Sequence, residues 1–179
     1  MAESAAWTRL QRGLHWWTAG LVPTGFALGF LMVGTPLQEL LLKFLLYQAH
    51  KTIGLTVLAL TAARLLRALR GRPRRLERLP DWQHRAAPIM HAVLYGLLLV
   101  TPVLGYFTAA TAPARIPTLF LLVVPVPHMV GADAAWFGIL RLLHLGCAIT
   151  LMVLAAMHAV AAVHHHVRGR AVLIAMWRG

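Results

Sequence analysis

The sequence predicts an all-α fold: an integral membrane bundle of four up-and-down helices with both termini in the cytoplasm. Three observations carry that expectation. Of 179 residues, 59% are apolar and 12% are charged, whereas an ordinary soluble domain carries about 25% charged residues; the mean hydropathy is +0.69. Three long runs contain no Asp, Glu, Lys or Arg, and each exceeds the roughly 20 apolar residues that span a bilayer. Finally, 17 Lys and Arg stand against 5 Asp and Glu, for a net charge of +12. These charges lie between the apolar runs, so they read as an orientation signal rather than a nucleic-acid footprint, and no nucleic-acid partner is expected.

Taken in order, the first charge-free run is Gly13 to Gln38, the second Ala86 to Ala114 and the third Leu142 to Val167. Phe44 to Leu66 is a fourth span, with Lys51 near one end and Arg64 near the other, where long side chains reach the interface. The spans are placed at about residues 13–35, 44–66, 86–109 and 139–163, in a single membrane domain covering 1–179. The first lacks an A-x-A-like cleavage site and is too long for a signal h-region, so it is retained. Thr118 to Val126 is apolar, but Pro117, Pro125 and Pro127 enclose a stretch too short to cross as a helix. It reads as part of a loop lying on the membrane.

Direction follows from arginine. Arg64, Arg67, Arg70, Arg72, Arg74, Arg75 and Arg78 accompany a single Glu77 between the second and third spans, and short Arg-rich loops stay inside. Arg9, Arg12, Arg168, Arg170 and Arg178 agree with it. The outer face keeps only Lys43, Lys51, Arg115 and Arg141. The expected topology crosses the membrane four times, with both termini on the inner side.

Ten histidines are the anomaly. Histidine inside a span is costly, faces the bundle interior, and marks a functional candidate. His15, His50, His91, His144 and His158 fall in the spans. His144 and His158 share the last helix 14 residues apart, about 40° short of four turns and about 21 Å of rise. Up-down topology puts His15 at the depth of His158 near the inner surface, and His50 at the depth of His144 near the outer one. Two histidine pairs stacked across a membrane are the constellation that holds two haems by axial imidazoles. The bland alternative is one interhelical hydrogen bond per histidine. Zinc or copper is weaker, since each level offers two imidazoles and no carboxylate or thiolate.

Gly54 follows His50 by one turn, and Gly25 and Gly29 form a G-x-x-x-G; both suit a flat macrocycle, and both equally suit close helix packing. Trp7, Trp16, Trp17, Trp136 and Trp177 read as interfacial anchors. Cys147, the lone cysteine, excludes an internal disulfide and reads as a packing residue.

The segments RLQRGLHWW (Arg9 to Trp17), HKTIG (His50 to Gly54), RLLRAL (Arg64 to Leu69), HAVLYGLLLVTPVLGY (His91 to Tyr106) and LLHLGCAITLMVLAAMHAVAAVHHH (Leu142 to His166) resemble the bacterial cytochrome b561 family. Those are four-helix di-haem b proteins, among them superoxide:ubiquinone oxidoreductases. The resemblance covers nearly the whole chain and implies axial pairing of His15 with His158 and of His50 with His144. It is thinnest over Thr108 to Gly138. His91 matches a recurring family position that is not an axial ligand; a contact to a haem propionate or quinone and a structural hydrogen bond both fit.

The resulting expectation is a di-haem b protein that oxidises superoxide, or takes electrons from another periplasmic donor, at the outer haem and reduces membrane ubiquinone. Lys51 and Arg141, with Lys43 and Arg115, would steer the anion. Arg64, with Arg67, either pairs with propionates or anchors the helix at the inner surface. His165, beside His164 and His166, either belongs to a solvated cluster or hydrogen-bonds the quinone and relays protons. His84 and His128 lie outside the spans. One alternative is a haem b anchor subunit relaying electrons from a partner dehydrogenase or soluble carrier; another is a haem-free transporter or structural membrane protein.

Overall fold

The computed structural model describes residues 7–69, 81–169 and 172–178, with backbone alone at positions 69, 81, 83, 84, 172, 175 and 178. Four long helices, α1 (Arg9–Gly34), α2 (Leu40–Leu69), α3 (Asp81–Thr111) and α4 (Ala134–Val167), are followed by a short α5 (Val172–Arg178). Between α3 and α4 lie two strands, β1 (Thr118–Phe120) and β2 (Val124–Val126). Arg70, Arg72, Arg74, Arg75, Glu77, Arg78 and Arg170, which set the expected orientation, lie outside the described residues, as do the side chains of His84 and Arg178.

Local chemistry sets the helix ends. Thr8 accepts from the Gln11 amide at 3.2 Å while Gln11 Oε1 accepts from the Thr8 amide at 3.0 Å, a reciprocal capping box that starts α1. Pro36 follows the extended Thr35 that closes it. Lys43 donates to the carbonyls of Met32 and Thr35, so its cation sits where the C-terminal end of α1 carries partial negative charge. Asp133 caps α4 by accepting from the amides of Ala135 and Trp136 at 2.9 and 3.1 Å.

Arg9–Gly34, Arg85–Thr111 and Ala134–Val167 are long and apolar enough to cross a membrane. The fourth helix, α2, has the length at 30 residues but is less apolar, because Gln48, His50 and Lys51 interrupt it. α1 packs along α2 and α3 along α4; the pairs meet chiefly through α2 and α3, whereas α1 touches α4 sparsely. Large apolar side chains point outward, among them Leu41 at 73% and Val160 at 68% exposed, the inverse of a water-soluble surface. Inside, Val57, Leu98 and Leu151 form the buried cluster, with Leu21, Val22, Ile53, Leu94 and Leu97 against it. Leu151 is seven residues from both His144 and His158, so this apolar layer lies midway between the two histidine depths.

The end of the bundle carrying the α1–α2 connection and the strands is termed outer, after the sidedness expected from the sequence. There the structure departs from a loop lying flat on the membrane. β1 and β2 pair antiparallel, Thr118 opposite Val126 and Phe120 opposite Val124, as a hairpin docked on α2. Pro125 is tolerated because β2 has a free edge in this two-stranded sheet.

Candidate functional site

Two histidine pairs occupy the interior at the two ends of the bundle. At the outer level, the His50 and His144 ring centres are 6.1 Å apart and nearly perpendicular, at 88°. Each ring is fixed through Nδ1, which donates to a backbone carbonyl: His50 to Gly25 at 2.8 Å and His144 to Thr101 at 2.9 Å. An imidazole held so has its proton on Nδ1 and the Nε2 lone pair available, the arrangement typical of a metal-ligating histidine.

Glycine makes room for both rings. A Cβ on Gly29 would come within 3.3 Å of His50 Cε1, and one on Gly105 within 2.9 Å of His144 Cε1. In the G-x-x-x-G of α1, Gly29 receives the His50 imidazole, while Gly25 supplies a carbonyl, lines the neighbouring cavity, and carries no Cβ where one would stand 3.0 Å from Ile53 Cγ2. Between the helices runs a small apolar cavity lined by His50, Gly54, His144, Thr101, Leu151 and Met152 among others. Thr101 Oγ1 at its wall is buried without a hydrogen-bond partner. A metal about 2 Å from each of two imidazole nitrogens separates the ring centres by roughly 6 Å. The outer pair, its free Nε2 atoms and the apolar cavity fit a flat group held by two axial ligands.

At the inner level, His15 and His158 are 6.5 Å apart between ring centres, and His91 approaches His158 at 5.3 Å. Here the hydrogen bonding is reversed. Arg64 Nη2 donates to His15 Nδ1 at 3.1 Å, and its guanidinium lies 5.1 Å from the centre of the Tyr95 ring. A guanidinium only donates, so Nδ1 of His15 accepts and the ring proton sits on Nε2. For His15 to ligate a metal through Nε2, Arg64 would have to leave Nδ1 and the ring proton would have to move there. The spacing fits as at the outer level, with one side chain to be displaced. α5 closes this end: Trp16 Nε1 donates to the Met176 carbonyl at 2.9 Å, Arg12 to that of Trp177 at 3.0 Å, and the Trp16 and Trp177 rings lie 5.0 Å apart.

Among the described residues, no three His, Cys, Asp or Glu side chains are arranged to hold a metal ion. His165 is half-buried in the last turn of α4, outside both pairs. At the outer mouth, Lys51 donates to the carbonyls of Ile116 and Pro117 at 3.0 and 3.2 Å, while Arg141 is exposed on α4. Partial burial, together with the cations of Lys51 and Arg115, holds His128 below the usual imidazole range.

Sequence reasoning missed three residues here. Gln48, fully buried, donates to the Pro117 carbonyl at 2.8 Å and accepts from the Leu119 amide at 2.9 Å. Tyr106 donates to the Pro127 carbonyl at 2.7 Å and accepts from the Met129 amide at 3.0 Å. Gly105 opposes His144. For Gln48 a signal existed, an uncharged amide inside a span two residues before a candidate ligand; Gly105 and Tyr106 carried none, since their partners lie on other segments.

A family model described as prokaryotic cytochrome b561 matches residues 6–179. No curated protein matches the chain.

Proposed function

Since the chain belongs to the prokaryotic cytochrome b561 family, and is thus a transmembrane haem b protein of electron transfer, we propose that it binds two haem b groups, one between His50 and His144 and one between His15 and His158. The observation that carries this reading is the matched spacing of the two pairs, 6.1 and 6.5 Å between ring centres, at opposite ends of the same bundle. Haem b with both axial positions filled is a one-electron carrier without an open site for oxygen. His50 and His144 are oriented by the Gly25 and Thr101 carbonyls, and the Val57, Leu98 and Leu151 layer excludes water between the levels. Arg64, if it left His15, would be free to pair with a haem propionate, and His91, 5.3 Å from His158 between ring centres, would be near the same group.

The proposed reaction oxidises superoxide on the periplasmic side of a bacterial inner membrane and reduces ubiquinone. Two superoxide anions each give up one electron and leave as dioxygen; the quinone takes two electrons and two protons and becomes the quinol. Arg141 and Arg115, with Lys51 behind them, supply the positive potential that attracts the anion. His165 donates a hydrogen bond to the quinone and passes it protons.

A second reading, the haem anchor subunit fed by a partner protein, is favoured by one observation: Lys43 and Lys51 are both engaged with backbone carbonyls, leaving fewer free cations at the mouth.

The deciding experiment measures haem b per chain by pyridine haemochrome, then quinone reduction by superoxide with the purified protein alone. Two haems are expected, falling toward one in His144→Ala and in His158→Ala. One haem or none in correctly inserted wild type refutes the two-level reading; two haems without superoxide-driven turnover shifts the assignment to the anchor subunit.

A further inference from the structure

The hairpin of β1 and β2 docks on α2 along a descending line. The Pro117 carbonyl meets Gln48, the Leu119 amide meets Gln48 Oε1, and two residues on the Leu121 amide donates to Thr52 Oγ1 at 3.1 Å. Gln48 and Thr52 are one helical turn apart, so the strand runs inward as it proceeds. Thr52 lies about 18 Å along α2 from Leu40 and about 12 Å below the span boundary expected at residue 44. The base is held by Tyr106 of α3 through Pro127 and Met129. The hairpin thus points from the outer surface toward the depth of His50, bridging α2 and α3.

Two further observations concern the tip. Leu121 and Leu122 have left-handed backbones, φ 53° and 63°, a conformation that hairpin turns in water give to Asn, Asp or Gly. Here the tip reads Leu121-Leu122-Val123-Val124, with exposures of 63, 51, 77 and 54%. Its amides are also satisfied without water: Leu121 by Thr52, Leu122 by the Leu119 carbonyl at 3.3 Å, and Val123 by the Phe120 carbonyl at 3.2 Å. Backbone polar groups left unmet inside a bilayer are costly, and these three amides are met within the protein.

We propose that this segment is a re-entrant hairpin whose Leu121–Val124 tip is embedded among the lipid acyl chains of the outer leaflet, held at that depth by Gln48 and Thr52. Turn residues that are apolar and exposed fit hydrocarbon and fit water poorly. The polar positions that make α2 the least apolar of the four long helices acquire a reason: Gln48, Lys51 and Thr52 each satisfy a backbone group of the hairpin. The inference needs the bundle to cross the membrane and is independent of the number of haems.

Its test uses the full chain with Cys147→Ser in phosphatidylcholine–phosphatidylglycerol vesicles. A nitroxide is attached at Leu122→Cys, and its collision rates with dissolved oxygen and with a water-soluble nickel chelate are compared. Val153→Cys, on the outward face of α4, and Gln38→Cys, in the α1–α2 connection, are the references. The oxygen-to-nickel ratio at position 122 is expected to match that at 153 and to exceed that at 38 several-fold. A ratio equal to that at 38 overturns the proposal. So does protection from both reagents with spin–spin broadening, which would put a second copy of the chain over the tip. Adding Gln48→Leu is expected to move the ratio toward the aqueous reference, and an unchanged ratio refutes the clamp. Should Leu122→Cys fail to insert, Val123→Cys carries the same comparison.

Discussion

Gly105 illustrates how little a site residue needs to do and how costly its replacement is. A methyl group there would stand 2.9 Å from His144 Cε1 and 3.2 Å from Nδ1, inside any normal contact, so the imidazole must turn and its bond to Thr101 must lengthen. Gly105→Ala is expected to lower haem content or shift the low-spin EPR signal of the outer site, whereas Gly146→Ala, which meets nothing within 4 Å, leaves both unchanged. His128 gives a second expectation at this scale. Its shared hydrogen bond with Thr118 is 2.9 Å long, and burial, then Lys51, then Arg115 lower its protonation range. With the folded value below the unfolded one of about 6.5, docking of the hairpin is complete above that pH and weakens as pH falls beneath it. Backbone hydrogen-exchange protection over residues 118–126, corrected for intrinsic rates, should decline from pH 7.5 to 5.5 in wild type and stay level in His128→Gln. Candidate ligands were legible in the sequence because an intramembrane imidazole is costly wherever it occurs. The groups that orient them, two carbonyls and a glycine hydrogen, look like any other helix backbone.

At the scale of elements, α4 carries one histidine for each level, and its partners come from different helices, α2 outside and α1 inside. The levels are not equally prepared. His50 and His144 present free Nε2 atoms, whereas His15 is hydrogen-bonded by Arg64 on the opposite nitrogen. When haem-depleted protein is titrated with haemin, the His158→Ala variant, which retains only the outer pair, should saturate at lower concentration than His144→Ala, which retains only the inner one; equal curves would remove the role given to Arg64. Three of the long helices were legible from their charge-free runs, and α2 from an apolar run whose Lys51 and Arg64 lie near its ends. The hairpin was not, because its three prolines and short apolar stretch specify only that no helix crosses there. What positions it are single hydrogen bonds from Gln48, Lys51, Thr52 and Tyr106, and these pairings between distant segments leave no periodic trace.

For the whole molecule, the apolar fraction and helix count predicted the class, and the arginine distribution predicts the direction. Alkaline phosphatase fused after Gly179 should be inactive in cells and active when inserted after Gln38; the reverse pattern would invert the bundle. Between the two ends stands the Val57, Leu98 and Leu151 layer, with Leu151 midway between His144 and His158. About 21 Å of helix separates those histidines, against a hydrocarbon core of about 30 Å. Charge moving from one level to the other therefore crosses roughly two-thirds of the membrane's electric field. With the interior negative, each inward electron meets an opposing term of about 1.6 kcal/mol per 100 mV. Under the two-haem proposal, an energised cell would slow the traffic that a de-energised one lets run, and the protein would act as a voltage-sensitive resistor in series with its own redox chain.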